Sequence, residues 1–107
     1  PADGEASAII AQRVARVRDI QRMRYEKLGL AIQTNAQADG EVLDQVAALG
    51  EDAQDLLKLA ADKFKLSARG FRRVQRVART LADMAGDEAI AKHHVAEALS
   101  YRRLHYS

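Results

Sequence analysis

The 107-residue sequence contains no cysteine and no tryptophan, and it has a single proline. The absence of cysteine excludes disulfides, thiolate metal sites and cysteine nucleophiles, and it fits a reducing cytoplasm. No apolar stretch approaches the roughly 18 residues of a membrane span, and no basic and then apolar leader opens the chain. We therefore expect neither a membrane helix nor a signal peptide, and we predict a cytoplasmic protein.

The sequence also lacks the usual signatures of catalysis and nucleotide binding. Neither G-x-x-x-x-G-K-[ST] nor G-x-G-x-x-G occurs, so the chain alone is not expected to cradle a nucleoside triphosphate. No Ser/His/Asp set and no carboxylate pair converges by spacing. The adjacent His93 and His94 should diverge by about 100° on a helix, which argues against a shared metal ion. His93 and Glu97 could hold a metal weakly, but an exposed polar pair is the simpler interpretation, and we predict no metal site.

What remains is rich in alanine, leucine and valine, and 48% of the residues are hydrophobic. This composition and length predict one all-α domain with a single core. The apolar periodicity predicts a compact bundle of four to five helices, preceded by a basic N-terminal helix. We place the basic helix and its linker at residues 1–38 and the bundle at residues 39–107. The start at Pro1 suggests a domain cut from a longer protein.

Caps, glycines and charge set the expected helix boundaries. The predicted helices cover, in order, residues 7–27, 40–49, 51–65, 68–85 and 92–103. Ser7 is the expected first N-cap, and Gly50 and Gly86 should end the second and fourth helices. Residues 1–6 should fray, and residues 28–39 should form a loop. The residues expected to face the core of the bundle, outside the fourth helix, are Val42, Leu43, Val46, Leu49, Leu56, Leu57, Ala60, Phe64, Ile90, Val95, Ala98 and Leu99.

The charge is uneven, although the net charge is only +2. Residues 69–79 hold five arginines and no acid, whereas residues 39–55 hold six acids and no base. In the fourth helix the residues expected on one apolar arc are Phe71, Val74, Val77, Ala78, Leu81 and Ala85. Those expected on the opposite arc are Arg69, Arg72, Arg73, Arg76 and Arg79. Such a row is usually a solvated face. The first helix is also basic and could lie on nucleic acid or a membrane surface, although a solvated linker is simpler.

The first turn of the fourth helix breaks local rules. Ser67 stands at the N-cap position, but Gly70 replaces the Glu or Gln of a capping box. Arg69 places positive charge where the helix dipole favours negative charge. A serine cap, an arginine and a glycine at a positive helix end are typical of an anion site, commonly one for phosphate.

Several blocks of the sequence resemble the C-terminal domain of magnesium-chelatase-like AAA+ ATPases, which include the ComM and YifB types. The most specific blocks are Leu66–Arg69 with Arg73, Val77–Gly86, and Val95–Leu99 with Tyr101 and Arg102. Upstream, the residues that resemble the helix leaving the ATPase core and a following linker motif are Arg13, Val14, Arg18, Gln21, Asn35 and Ala36. The resemblance covers nearly the whole chain, and a shorter similarity extends to the ATPase subunit of magnesium chelatase itself.

The resemblance implies a helical lid for a nucleotide-binding core that this chain lacks. In such ATPases an arginine called sensor 2 reaches the γ-phosphate of ATP, and Arg69 is the matching position. Arg73 and Arg76 would assist Arg69 or contact a neighbouring subunit. ATP and Mg²⁺ would be bound by the full-length protein, and the fragment alone would bind neither and have no turnover. The implied partners are the protein's own ATPase core and the neighbouring subunits of a homo-oligomeric ring. ComM-like motors of this group act on DNA, which would then be a further partner, whereas chelatases insert a metal into porphyrin.

Two other interpretations stay open on the sequence alone. An independent DNA-binding module would use residues 69–79 and the basic first helix, and its binding would fall steeply with salt. A protein-interaction domain would leave the arginine face in solvent, and neither nucleotide nor DNA binding would then depend on Arg69.

Overall fold

Five α-helices account for most of the chain in the computed structural model, which describes the backbone of residues 2–106 and the side chains of residues 7–101. They are α1 (Ala2–Lys27), α2 (Gly40–Val46), α3 (Glu51–Phe64), α4 (Ala68–Ala85) and α5 (Lys92–Tyr106). Within the described range the only extended pairing is one parallel bridge between Leu49 and Ile90. No described helix has the length and apolar character needed to cross a membrane. The predicted all-α fold is confirmed.

The structure confirms the predicted boundaries of α4 and corrects the start of α1 and the ends of α2 and α5, the last of which continues to Tyr106. Helix α1 begins at Ala2, so Ser7 lies inside the helix and is not its cap. Residues 2–6, whose sequence contains two alanines and two acids favoured in a first turn, belong to the helix. Helix α2 ends at Val46, and Gly50 instead caps the start of α3 with an extended backbone at φ −65° and ψ 169°. The residues between them are drawn out of the helix because Leu49 pairs with Ile90.

The chain divides into two compact units, residues 1–37 and residues 38–107. In the first unit, the segment after α1 folds against the end of that helix. The hydroxyl of Tyr25 donates to Asn35 Oδ1 at 2.6 Å, and the Asn35 N–H donates to Gln21 Oε1 at 2.9 Å. All three side chains are buried. The predicted loop therefore contains an anchored 3₁₀ turn at Asn35–Gln37.

The second unit is a bundle in which α5 packs against α3 and α4, and α2 packs against α4. The large buried aliphatic residues of its core are Leu43, Leu57, Val74, Ile90, Val95 and Leu99. Five of the predicted core residues outside α4 are half-buried or exposed. Val42, Val46, Leu49 and Leu56 are only half-buried. Phe64 is 37% exposed, because α3 ends at this residue and the chain turns away through a left-handed Lys65.

The face that α4 buries is rotated from its hydrophobic arc. The buried residues are Val74, Gln75, Ala78, Arg79, Ala82 and Asp83. Phe71, Val77 and Leu81 are half-buried, and Ala85 is exposed. Three of the six buried residues are polar or charged, so the apolar arc alone does not determine how this helix sits in the bundle.

Candidate functional site

A serine cap holds the first turn of α4. The backbone of Ser67 is extended, and its hydroxyl oxygen accepts from the Gly70 N–H at 3.0 Å. A Cβ added to Gly70 would lie 3.4 Å from this hydroxyl oxygen and 3.8 Å from Leu66 Cβ, which are ordinary contacts. The predicted N-cap is confirmed, and neither space nor backbone conformation within the bundle requires a glycine at position 70.

Arg69 lies in this first turn with its side chain exposed to solvent. It makes no side-chain hydrogen bond or ion pair within the described part of the chain. Arg73, one turn further on, is also exposed. A guanidinium keeps its positive charge at every physiological pH and offers five N–H donors in a planar fork. The start of α4 therefore presents a permanent, uncommitted cation next to the positive end of a helix.

Arg72 is committed to a side chain of α2. Its two terminal nitrogens hydrogen-bond to the carboxylate of Asp44, with Nη2 lying 3.4 Å from Oδ2, and Nη1 also donates to Gln75 Oε1 at 3.2 Å. Hydrogen bonding by Arg72 lowers the pKa of the Asp44 carboxyl and raises the pKa of Arg72 itself. This pair fixes the middle of α2 against α4.

Arg76 is committed to the start of α2. Its Nε donates to the carbonyl oxygen of Ala38 at 2.8 Å, and its Nη2 lies 3.2 Å from Asp39 Oδ1. Asp39 is also the N-cap of α2 and accepts from the Gly40 N–H at 2.9 Å. One guanidinium thus holds two consecutive residues at the beginning of the second unit.

Arg79 is the largest departure from the predicted solvated arc. It is only 4% exposed, and its Nη2 lies 3.1 Å from Oδ1 of the buried Asp83. Its terminal nitrogens also donate to the backbone carbonyls of Val46, Asp87 and Glu88 at 3.3, 2.8 and 2.8 Å. These carbonyls come from the end of α2 and from the α4–α5 connection, where no helical N–H is available to them. The opposite charges of Arg79 and Asp83, four residues apart on a helix, were the available sequence signal for this pair.

The two adjacent histidines do not diverge as predicted. The centroids of their rings lie 4.0 Å apart. The atoms of Asp87, His93 and His94 that could ligate a metal fall within 4.8 Å of one another. The reason is that the buried His94 turns back and accepts from the Ala91 N–H through Nδ1 at 2.9 Å.

The hydrogen bond to Nδ1 fixes the tautomer of His94, and the tautomer determines whether the cluster of Asp87, His93 and His94 can bind a metal. Because Nδ1 is the acceptor, a neutral His94 carries its proton on Nε2, and a protonated nitrogen offers no lone pair to a metal. Nε2 lies 3.2 Å from Asp87 Oδ2, although not at a hydrogen-bonding angle. His94 therefore caps the start of α5, and the cluster is poorly suited to hold a metal.

The basic residues of α1 are distributed around that helix, and most are exposed. The exposed ones within the described side chains are Arg13, Arg16, Arg18, Arg22 and Lys27. Arg22 pairs with Asp19 at 3.2 Å, and both are exposed. Arg24 is half-buried and donates to Asn35 Oδ1 at 3.2 Å.

Of the five arginines of α4, the structure thus brings three into contacts that hold the bundle together and leaves Arg69 available. Sequence periodicity placed all five on one solvated face, and it missed the burial of Arg79 and the capping role of His94. The position of Arg69 at the start of the helix, by contrast, followed from the Ser67 cap alone.

Comparison with known proteins agrees with this architecture. Residues 4–102 match the family described as magnesium chelatase, subunit ChlI C-terminal. The chain is 35% identical over 101 residues to the competence protein ComM of Haemophilus influenzae, covering 94% of this chain and 19% of that protein.

Two further relatives show the same coverage. An uncharacterized protein of Mycobacterium tuberculosis is 38% identical over 102 residues, covering 95% of this chain and 20% of that protein. The uncharacterized protein YifB of Escherichia coli is 35% identical over 101 residues, covering 94% and 19%. The chain spans about a fifth of the length of these relatives. It belongs to the magnesium chelatase ChlI C-terminal family and is a C-terminal domain of the magnesium-chelatase-like proteins.

Proposed function

We propose that this chain is the helical lid of a magnesium-chelatase-like AAA+ ATPase and that Arg69 senses the bound nucleotide. The observation that carries the proposal is the contrast among the arginines of α4. Arg72, Arg76 and Arg79 make contacts inside the bundle, whereas Arg69 is exposed and has no partner in the described chain. An arginine held at a capped helix start and left without a partner is suited to a ligand supplied by another domain.

The chemistry of the proposed contact follows from the guanidinium. Its planar fork of donors matches phosphate oxygens, and its charge does not depend on pH. Placed at the γ-phosphate, it would stabilise the negative charge that develops during phosphoryl transfer. Because the residue sits on a domain separate from the core, the same contact would couple hydrolysis to movement of the lid. The chain by itself is proposed to have no turnover.

The partners follow from the same proposal. ATP and Mg²⁺ would be held by the ATPase core of the full-length protein, and the lid would contact that core and the neighbouring subunits of a homo-oligomeric ring. Arg73 lies one turn from Arg69 and is the second residue we propose near the nucleotide or a neighbouring subunit. We further propose a cytoplasmic DNA motor as the parent, in line with the similarity to a competence protein.

The test is the steady-state ATPase rate of the full-length protein compared with its Arg69→Ala variant. We expect turnover to fall at least roughly tenfold, equivalent to about 1.4 kcal/mol of transition-state stabilisation. The matched control is Arg72→Ala. It removes a guanidinium from the same helix, but one that already pairs with Asp44 inside the bundle. Equal turnover in wild type and Arg69→Ala would reject the sensor assignment.

An independent DNA-binding module is the second candidate, and the exposed arginines of α1 favour it. Arg13, Arg16 and Arg18 are exposed and make no side-chain hydrogen bond or ion pair in the described chain. If they bind phosphates, the isolated chain should bind duplex DNA with an affinity that falls steeply with salt, and Arg13→Ala with Arg16→Ala should reduce that slope by about two. Salt-independent or undetectable binding would leave these arginines as a solvated or protein-contacting face.

A further inference from the structure

The chain passes from the first unit to the second at the bond between Gln37 and Ala38. Side chains hold the backbone on both sides of this bond. Before it, Gln37 Oε1 accepts from the N–H groups of Gln33 and Thr34 at 2.9 and 3.2 Å. After it, the Ala38 carbonyl accepts from Arg76 Nε at 2.8 Å.

The hydrogen bond between Arg76 and Ala38 joins residues that are 38 positions apart in the sequence. Arg76 lies in the middle of α4, and it contacts two residues that immediately precede α2. Its side chain is 23% exposed and its contact with the buried Ala38 is shielded from water, whereas the Asp39 side chain is 77% exposed. Charge-assisted hydrogen bonds of this kind are stronger than neutral ones. The entry of the chain into the bundle is therefore fixed to the helix that carries Arg69.

We propose that Arg76 is a positioning residue for Arg69, an inference that rests on the proposed function above. The two arginines are seven residues apart, which is two turns or about 10 Å along one side of the helix. Movement of Ala38 and Asp39 would therefore be passed along α4 to Arg69. Arg76 acts through this coupling, because its Nε and one terminal nitrogen are already used inside the bundle.

The experiment is a double-mutant cycle on the ATPase rate of the full-length protein, with Arg69→Ala, Arg76→Ala and the variant carrying both. We expect Arg76→Ala to lower kcat roughly fivefold or more, because small misplacements of a charge-stabilising group reduce rates strongly. Since Arg76 acts only through Arg69, the double variant should be no slower than Arg69→Ala alone.

Arg72→Ala is the matched control for this cycle. It removes another contact between α4 and α2 but leaves Ala38 and Asp39 attached, so its kcat should stay within about twofold of wild type. If Arg76→Ala fails to fold, Asp39→Asn replaces it. That change keeps an oxygen for the cap of α2 but removes the charge facing Arg76, and it should shift kcat in the same direction.

Hydrogen exchange of the full-length protein supplies a readout that does not depend on ATP. The amides of Gly40 and Leu43 are held by Asp39, and they should exchange faster in Arg76→Ala but not in Arg72→Ala. The positioning role would be overturned if Arg76→Ala showed faster exchange at these amides but the kcat of wild type, while Arg69→Ala had a reduced kcat. Additive losses in the double variant would also overturn it. An unchanged rate in Arg69→Ala would reject the proposed function and this inference together.

Discussion

At the scale of single residues, the five arginines of α4 show that one residue type in one helix can serve different purposes. Arg69 is exposed, Arg72 and Arg76 join α4 to the region of α2, and Arg79 is buried with Asp83. Their roles are set by what surrounds each position along the helix. The beginning of α4 is open, whereas its second half is enclosed by backbone carbonyls that need donors.

Arg79→Ala should destabilise the 107-residue chain by about 3–5 kcal/mol, because it leaves the buried Asp83 carboxylate without its cation and three backbone carbonyls without their donor. Thermal or urea unfolding measures this loss. Arg69→Ala is the control on the same helix and should change stability by less than about 0.5 kcal/mol. A small effect at Arg79 would mean that other donors satisfy these carbonyls.

Asp44 should contribute a pH-dependent part of the stability. Arg72 lowers the pKa of this carboxyl in the folded state below the ordinary value of about 3.9. A depressed carboxyl pKa stabilises the fold above the unfolded value, and this contribution disappears as the pH falls through the folded value.

The melting temperature of Asp44→Asn should therefore lie below that of wild type at pH 7, and the difference should shrink as the pH falls below the ordinary carboxyl value and through the lowered pKa of Asp44. Asp62→Asn, an exposed residue of α3, is the matched control. A difference that persists unchanged at pH 2 would show that the charge of Asp44 is not its cause.

At the scale of helices, boundaries set by local chemistry could be predicted and faces set by tertiary surroundings could not. Helix α4 begins after Ser67 and ends at a left-handed Gly86, as their cap preferences indicate. Its buried face includes Gln75, Arg79 and Asp83, which no hydrophobic pattern selects. Likewise, a glycine such as Gly50 is typical of a helix C-terminus, which is why the sequence predicted it as the end of α2. Because Leu49 pairs with Ile90, α2 ends earlier and Gly50 is the N-cap of α3.

The variant Gly70→Ala distinguishes the effect of Gly70 on the stability of α4 from its effect on nucleotide binding. An added Cβ meets only ordinary contacts, so the variant should gain about 0.8–1 kcal/mol of stability, as measured by unfolding. If the glycine serves the close approach of a nucleotide, the same change should lower the ATPase rate of the full-length protein. A variant with greater stability and full activity would show that Gly70 has no role in binding.

At the scale of the whole molecule, the chain is about a fifth of the length of the relatives it matches, and its family is shown by a match over residues 4–102. The all-α bundle and the family could be predicted from capping, periodicity and the sequence blocks around α4. The hydrogen bonds from Arg76 and Arg79 to backbone carbonyls could not, because a backbone carbonyl leaves no sequence pattern.

The central proposal is that Arg69 recognises the γ-phosphate of ATP. The most direct measurement is the affinity of the full-length protein and its Arg69→Ala variant for ADP and for a non-hydrolysable ATP analogue. Losing a charged hydrogen-bond donor at the γ-phosphate should weaken binding of the ATP analogue about tenfold or more and leave ADP affinity unchanged. Equal affinities of the two proteins for both nucleotides would contradict the claim.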